Sequence, residues 1–364
     1  MVKRLASCLV LGWVLGLVMM TLLGSPWAAT AALPYKSAIK DARVILRNAL
    51  PIDNPTIRSM QLALEKMPRQ ANLKQWGVLR KQVEELNNVV AQNLNDDQGK
   101  ILAAVTDLRE GRVLLADLGT RLQALQVEIT SKERNKIKPL SEFALERVGE
   151  LEALMVQAFP FTIPEEYAGL PRLLGRATVE LETSKGKLNL VLDGYNAPIT
   201  AGQFADLVQR GFYDNMEFSR ADDNYFLQAG DPPGDADGFI DPETHQLRTI
   251  PMEVKVPGQT LPIYGKTFAE MGTYGVLPVL PFSAYGTLAM AHPDRDPNGG
   301  SSQFFIYLFE SDLTPAGLNL IDGNFAAFGY VLDGQPVLDK MKLGDRIISA
   351  KITGGAENLV LPGV

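Results

Sequence analysis

Cysteine is nearly absent from this sequence, with one in 364 residues, and there are only two histidines and three tryptophans. The single thiol, Cys8, lies in an N-terminal stretch that reads as a removable leader. Once that is gone, disulfides, thiolate catalysis and cysteine-ligated zinc are excluded. His245 and His292 are too few for a multi-histidine metal centre, and a His-based triad would need most of its usual parts replaced. Basic charge is also scarce: 35 Lys and Arg against 42 Asp and Glu give a formal net charge of −7. That sign opposes nucleic-acid binding.

The first residues read as an export signal, assigned to 1–31. Lys3 and Arg4 form a short positive region, Leu9 to Leu23 is almost continuously apolar, and Ala29-Thr30-Ala31 fits a small-residue cleavage site. An uncleaved anchor is the alternative, but Ser25-Pro26 breaks the helix where a peptidase needs extended chain. Leu5-Ala6-Ser7-Cys8 resembles a lipoprotein box but precedes the apolar run, so it is discounted. There is no twin arginine and no Ser/Arg-rich transit peptide, which points to a prokaryotic Sec-type leader and to no membrane span after its removal.

Residues 33–158 read as a helical bundle. Trp76, Leu79, Val83, Leu86, Val90 and Leu94 form one apolar stripe. Asn95-Asp96-Asp97-Gln98 supplies start signals for a long helix. On it Ile101, Leu108, Leu115, Leu122 and Ile129 recur every seven residues. A last helix follows Pro139. The heptad could be a dimerising seam, but Gly111 and Gly119 lie inside it, which favours an intramolecular bundle. Nothing in this half carries catalytic chemistry.

Prolines at 160, 164 and 171 mark a linker, 159–175. Beyond it the period becomes two. Ala177 to Thr183 alternates, Lys185-Gly186-Lys187 turns, and Leu188 to Leu192 returns. Thr200-Ala201-Gly202-Gln203 has the form of a capping box opening a helix from Phe204 to Gln209. Strands, one short helix and Gly/Pro turns predict a closed or sandwich-like β domain over 176–355, with a tail at 356–364.

Five segments then fall in a recognisable order. Phe218-Ser219-Arg220 is followed by Tyr225-Phe226-Leu227-Gln228-Ala229-Gly230-Asp231, which resembles F-M-x-Q-G-G-D. Gly286-Thr287-Leu288-Ala289-Met290-Ala291 resembles G-x-L-S-M-A, and Gly300-Ser301-Ser302-Gln303-Phe304-Phe305-Ile306 resembles N-G-S-Q-F-F-I. Ile321-Asp322-Gly323-Asn324-Phe325-Ala326-Ala327-Phe328-Gly329 resembles L-D-G-x-x-x-V-F-G. Over about 175 residues this series resembles the cyclophilins. The layout of leader, helical domain and cyclophilin is similar to the thylakoid-lumen cyclophilins, whose N-terminal bundle resembles PsbQ of photosystem II.

The resemblance implies a multidomain α plus β protein: a helical bundle, then a closed antiparallel β-barrel capped by short helices. It implies binding and isomerisation of X–Pro bonds in exported or lumenal polypeptides, without cofactor or metal. Clients would include photosystem II proteins, and the helical domain could dock on the barrel. Arg220 matches the catalytic arginine, with Gln228 holding it or binding the substrate carbonyl. Tyr225, Phe226, Phe305, Leu320, Ile321 and Phe325 would line the proline slot. Gln303 and the backbone of Met290, Ala291 and His292 would grip the flanking peptide.

Departures from the family pattern matter as much. The usual Phe-His-Arg is Phe-Ser-Arg at 218–220, and Trp-Leu-Asp-Gly is Leu320-Ile321-Asp322-Gly323. Phe325 replaces the pocket histidine, and His292 replaces an asparagine. Low isomerase activity and weak cyclosporin binding are therefore expected, with a non-catalytic scaffold as the second reading. A long insert, about Pro232 to Pro262, is expected beside the mouth. Asp235-Ala236-Asp237-Gly238 fails as a calcium loop because Pro233 and Thr244 stand where carboxylates are needed. Gly258 to Lys266 has the wrong spacing for a phosphate loop. His292 with Asp294 and Asp296 reads as a solvated turn sooner than a metal site.

Overall fold

A computed structural model describes residues 39–362 apart from 97, 223–224, 274, 310–318 and 320. The assigned leader lies outside the described residues.

Apolar residues at helical spacing build α1 (Ala42–Asn48), α2 (Pro55–Asn72), α3 (Trp76–Leu94), α4 (Leu108–Ser131) and α5 (Arg134–Leu154). Helices α2 to α5 share one core, in which Leu64, Leu79, Val83, Leu118 and Val148 are fully buried. The heptad belongs to that core: Ile101, Leu115, Leu122 and Ile129 have no exposure, whereas Leu108 is 41% exposed. The seam is thus filled from within the chain. The long helix does not start at Asn95–Gln98 as expected. A turn and a short 3₁₀ segment, Leu102–Ala104, intervene, and Asp107 caps it by accepting from the Glu110 amide at 2.9 Å.

Helix α1 departs from the bundle. Its Ile45 and Leu46, with Ala49 just beyond, are buried in the core of the β domain. Polar groups fix the same junction. The Asn196 amide donates to the Ala49 carbonyl at 3.0 Å, and the Ser283 hydroxyl to that of Ile39 at 2.6 Å. On the bundle side, Arg58 bonds the Arg47 and Leu50 carbonyls and the buried Glu152 carboxylate. Burial pushes the Glu152 carboxyl up to about 7, against the pull of Arg58 and Arg47.

The β domain opens with β1 (Arg172–Leu173), β2 (Arg176–Thr183) and β3 (Gly186–Asp193). Then come α6 (Pro198–Gln209), β4 (Phe218–Asp222), β5 (Phe226–Ala229), β6 (Glu253–Val254) and β7 (Ile263–Tyr264). It closes with β8 (Thr287–Met290), β9 (Phe304–Tyr307), β10 (Ala326–Asp333), α7 (Gln335–Leu338), β11 (Ile347–Gly354) and β12 (Leu359–Val360). Eight strands form one antiparallel sheet in the order β11-β2-β3-β10-β8-β9-β5-β4. The two-residue alternation of β2 and β3 holds, with Ala177, Val179, Leu181, Leu188, Leu190 and Leu192 facing the core. Strands β1 and β12 pair across the segments read as linker and tail.

The expectation of a closed barrel is corrected: the sheet curls through 218° and stays open. Its outer strands, β11 and β4, come together at one end, where Glu217 bridges Arg346 and the Phe218 amide donates to the Asp345 carbonyl. Closure needs a continuous staggered ladder, and β4 is five residues long with a register shift between Phe218 and Arg220.

Helix α6 packs into the core of the β domain, buried from Pro198 to Val208. It begins at Pro198, six residues before the expected start, and the Thr200–Gln203 capping box does not form. Glu253, from the insert, does the capping. Its Oε2 accepts from the amides of Ile199 and Thr200 and from the Thr200 hydroxyl, at 2.9–3.0 Å. Gln203 instead donates to the Ser301 carbonyl.

Candidate active site

Strand register brings the candidate residues into one row. Arg220 on β4 pairs with Gln228 on β5, which pairs with Phe305 on β9. Phe226, two residues before Gln228, shares its face. The intervening Leu227 and Ala229 point into the core, at 2% and 0% exposure. The exposed Arg220 guanidinium lies 5.1 Å from the centre of the Phe226 ring. Among the described residues it makes no ion pair, so its donors remain available to a ligand.

The floor is fixed by side-chain amides. Gln228 donates to Gln303 Oε1 at 2.7 Å, and Gln303 Nε2 reaches Asp231 Oδ1 at 3.2 Å and the Asp237 carbonyl at 3.0 Å. Gly230 must be glycine here. Its φ is +98°, and a Cβ would lie 2.2 Å from the Ser302 carbonyl oxygen. That close approach lets Ser302 Oγ bond the Gly230 carbonyl and locks the Gln228 and Gln303 segments together.

Aromatic rings form the walls. Phe305 meets Phe226 at 6.1 Å and Phe325 edge-on at 5.2 Å, and His292 lies against Phe325 at 4.8 Å. Both His292 ring nitrogens are 2.9 Å from carbonyl oxygens, of Pro293 and Asn324. The loop bearing Ile321 and Phe325 is held by Asp322, whose Oδ1 accepts from the Phe282 amide at 2.8 Å. Burial raises the Asp322 carboxyl to about 6.

These groups surround a cavity of about 520 Å³. Arg220, Tyr225, Phe226, Gln228, Ala291 and His292 line it, as do Gln303, Phe305, Ile321 and Phe325. Met290 does not. Strand β8 is buried along its whole length, and Met290 packs with Ile199 and Ile250 beneath the rim. Leu320 lies outside the described residues. The insert contributes three wall residues that the motifs did not assign to the slot, Asp237, Leu247 and Thr249. Its position is set by the Ile250 amide bonding the Gly300 carbonyl and by Ser301 Oγ accepting from the Phe239 amide. Among the described residues, none of the bundle lines the cavity.

A slot of this kind offers apolar walls for a ring, amide groups for a peptide backbone, and one permanent cation at the rim. Comparison with known proteins matches residues 178–353 to the cyclophilin type peptidyl-prolyl cis-trans isomerases. A putative thylakoid lumen peptidyl-prolyl cis-trans isomerase of Synechocystis is 48% identical over 96% of this chain and 90% of its own length. The chain belongs to the cyclophilin-type peptidyl-prolyl cis-trans isomerase family. Residues 41–156 of this cyclophilin match the CYP38-like, PsbQ-like domain. The chloroplastic isomerase CYP38 of Arabidopsis thaliana is 41% identical, covering 89% of this chain and 76% of its own. A solved cyclophilin of Cryptosporidium parvum matches 49% of this chain and 99% of its own, at 22% identity and a TM-score of 0.34. No helix among the described residues of the cyclophilin is long and apolar enough to cross a membrane.

Proposed function

We propose that this cyclophilin binds X–Pro segments in the cavity under Arg220 and rotates the prolyl bond, at a low rate, as a folding or assembly factor. The clients are proline-containing polypeptides of the thylakoid lumen or periplasm, photosystem II proteins among them. The name of the Synechocystis relative, which places it in the thylakoid lumen, supports that compartment, and the PsbQ-like half supports the photosystem.

The observation that carries the reading is the row of Arg220, Gln228 and Phe305 over one apolar slot. Prolyl rotation breaks amide resonance, a barrier of about 18–20 kcal/mol. No covalent bond is made or lost, so neither nucleophile nor metal is required. In the twisted state the prolyl nitrogen becomes pyramidal and basic, and a fixed cationic donor binds it better than the planar ground state. Phe226, Phe305, Ile321 and Phe325 hold the ring while Gln303 and Gln228 hold the backbone. With Phe325 in place of an imidazole, the slot loses a polar wall group, which is the reason for the low rate. Intact Arg220 favours catalysis over a purely scaffolding role.

Exchange NMR on an Ala-Pro tetrapeptide tests this. The protein should accelerate cis–trans exchange, with shifts at the Phe226, Gln303 and Phe305 amides. Exchange no faster than in buffer would remove the catalytic reading.

A further inference from the structure

A second cavity, of about 610 Å³, shares no lining residue with the first. It lies where α1 and the start of the linker meet the β domain. Apolar walls come from Ile39, Ile45, Pro51, Pro160, Leu277 and Val279. It is a built site: the Asn196–Ala49 and Ser283–Ile39 bonds hold α1 in place at its edge.

Among the described residues lining it, Lys255 is the one cation. Lys255, half-buried at the end of the insert's first strand, donates to the Thr260 carbonyl and lies 4.4 Å from the centre of the Phe161 ring. It forms no ion pair among the described residues. An ammonium has three donors, and those two neighbours leave room for a third partner. Burial holds its pKa below the ordinary lysine range, with Glu253 acting in the opposite sense. A half-buried, incompletely paired ammonium gains from an anion that replaces its lost hydration. Around it, the polar side chains of Asn48, Gln259 and Thr260 offer partners for peptide groups.

We propose that this cavity binds the C-terminal end of an apolar polypeptide, its carboxylate on Lys255 and its last side chains on the aliphatic wall. The size accommodates three or four residues of ligand, since sites of roughly 300–1,000 Å³ enclose drug-sized molecules. The cation demands one negative charge, and the amide-bearing rim suits a peptide better than a bare hydrocarbon chain. A protein with two separate peptide sites can hold a client's terminus while the slot under Arg220 works on an internal proline.

The test uses the full chain, labelled with ¹⁵N, and the proline-free probe acetyl-Ala-Leu-Val-Leu with a free carboxylate. Its C-terminal amide and decanoate serve as comparisons. The acid should shift the amides of Ile39, Gln259, Thr260 and Leu277 and bind at least tenfold tighter than the amide. Lys255→Met should abolish that preference while leaving the spectrum otherwise folded. Leu277→Trp, which fills the cavity, should abolish binding of both peptides and keeps the test decisive should Lys255→Met fail to fold. Equal affinity of acid and amide, or shifts confined to residues around Arg220, would overturn the site. Decanoate binding as tightly as the peptide acid would overturn the peptide assignment.

Discussion

Replacing Glu253 by glutamine should flatten the pH dependence of this protein's stability. Glu253 is 1% exposed at the N-terminus of α6. Burial outweighs the hydrogen bonds from Thr200 and Ile199, and its carboxyl rises from 4.5 to about 7. A folded-state pKa above the unfolded one stabilises the fold below the unfolded value, and that gain is lost as pH rises through the folded value. The window is therefore about pH 4.5 to 7. At about 1.4 kcal/mol per pH unit, the loss across it is on the order of 3 kcal/mol. Glutamine stays neutral and can still accept from the Thr200 and Ile199 amides, so Glu253→Gln should lack this component. Urea unfolding followed by near-UV circular dichroism, which reads the buried Tyr213 and Tyr330, would measure both proteins at pH 4.5, 6 and 8. The wild type should weaken relative to the variant by about 3 kcal/mol between the extremes. Parallel curves would refute the argument. They would mean that the helix-end amides, not burial, set the state of the carboxylate.

Leu46→Ala should cost about 2–5 kcal/mol in urea unfolding of the β domain, because Leu46 is buried in that core and not in the bundle. A surface-level effect would mean that α1 is only loosely attached. Gly202→Ala should destabilise by about 1–3 kcal/mol in thermal melts, since its Cβ would lie 2.6 Å from the Arg172 Cα. Gly169→Ala, with nothing within 4 Å, should change little. Phe325→Ala should raise the KM for an X–Pro peptide roughly two- to tenfold by removing the edge-on partner of Phe305. An unchanged KM would place the proline ring elsewhere.

Local pattern made much of this protein legible, because each strand or helix face needs apolar residues at a fixed period. Strands β2 and β3 and the stripe of α3 are cases in point, and the motif order marked ten residues that line the cavity. What failed was whatever depends on distant partners. Thr200–Gln203 has the local form of a cap, yet Glu253, more than fifty residues away, takes over those amides. Ala42, Ile45, Leu46 and Ala49 have helical spacing whichever core they enter, so α1 could not be assigned to the β domain from its own residues. Met290 ends a strand buried on both faces, where alternation gives no warning of direction. Sheet curvature is set by tilt and stagger between strands, which the alternation of any one strand does not encode.

Catalysis here turns on Arg220 stabilising the twisted prolyl bond. Exchange NMR with an Ala-Pro tetrapeptide, comparing wild type with Arg220→Ala, tests it most directly. Arg220→Ala should lower kcat/KM on the order of 10²-fold with an intact fold. Equal rates for the two proteins, both above buffer, would contradict it.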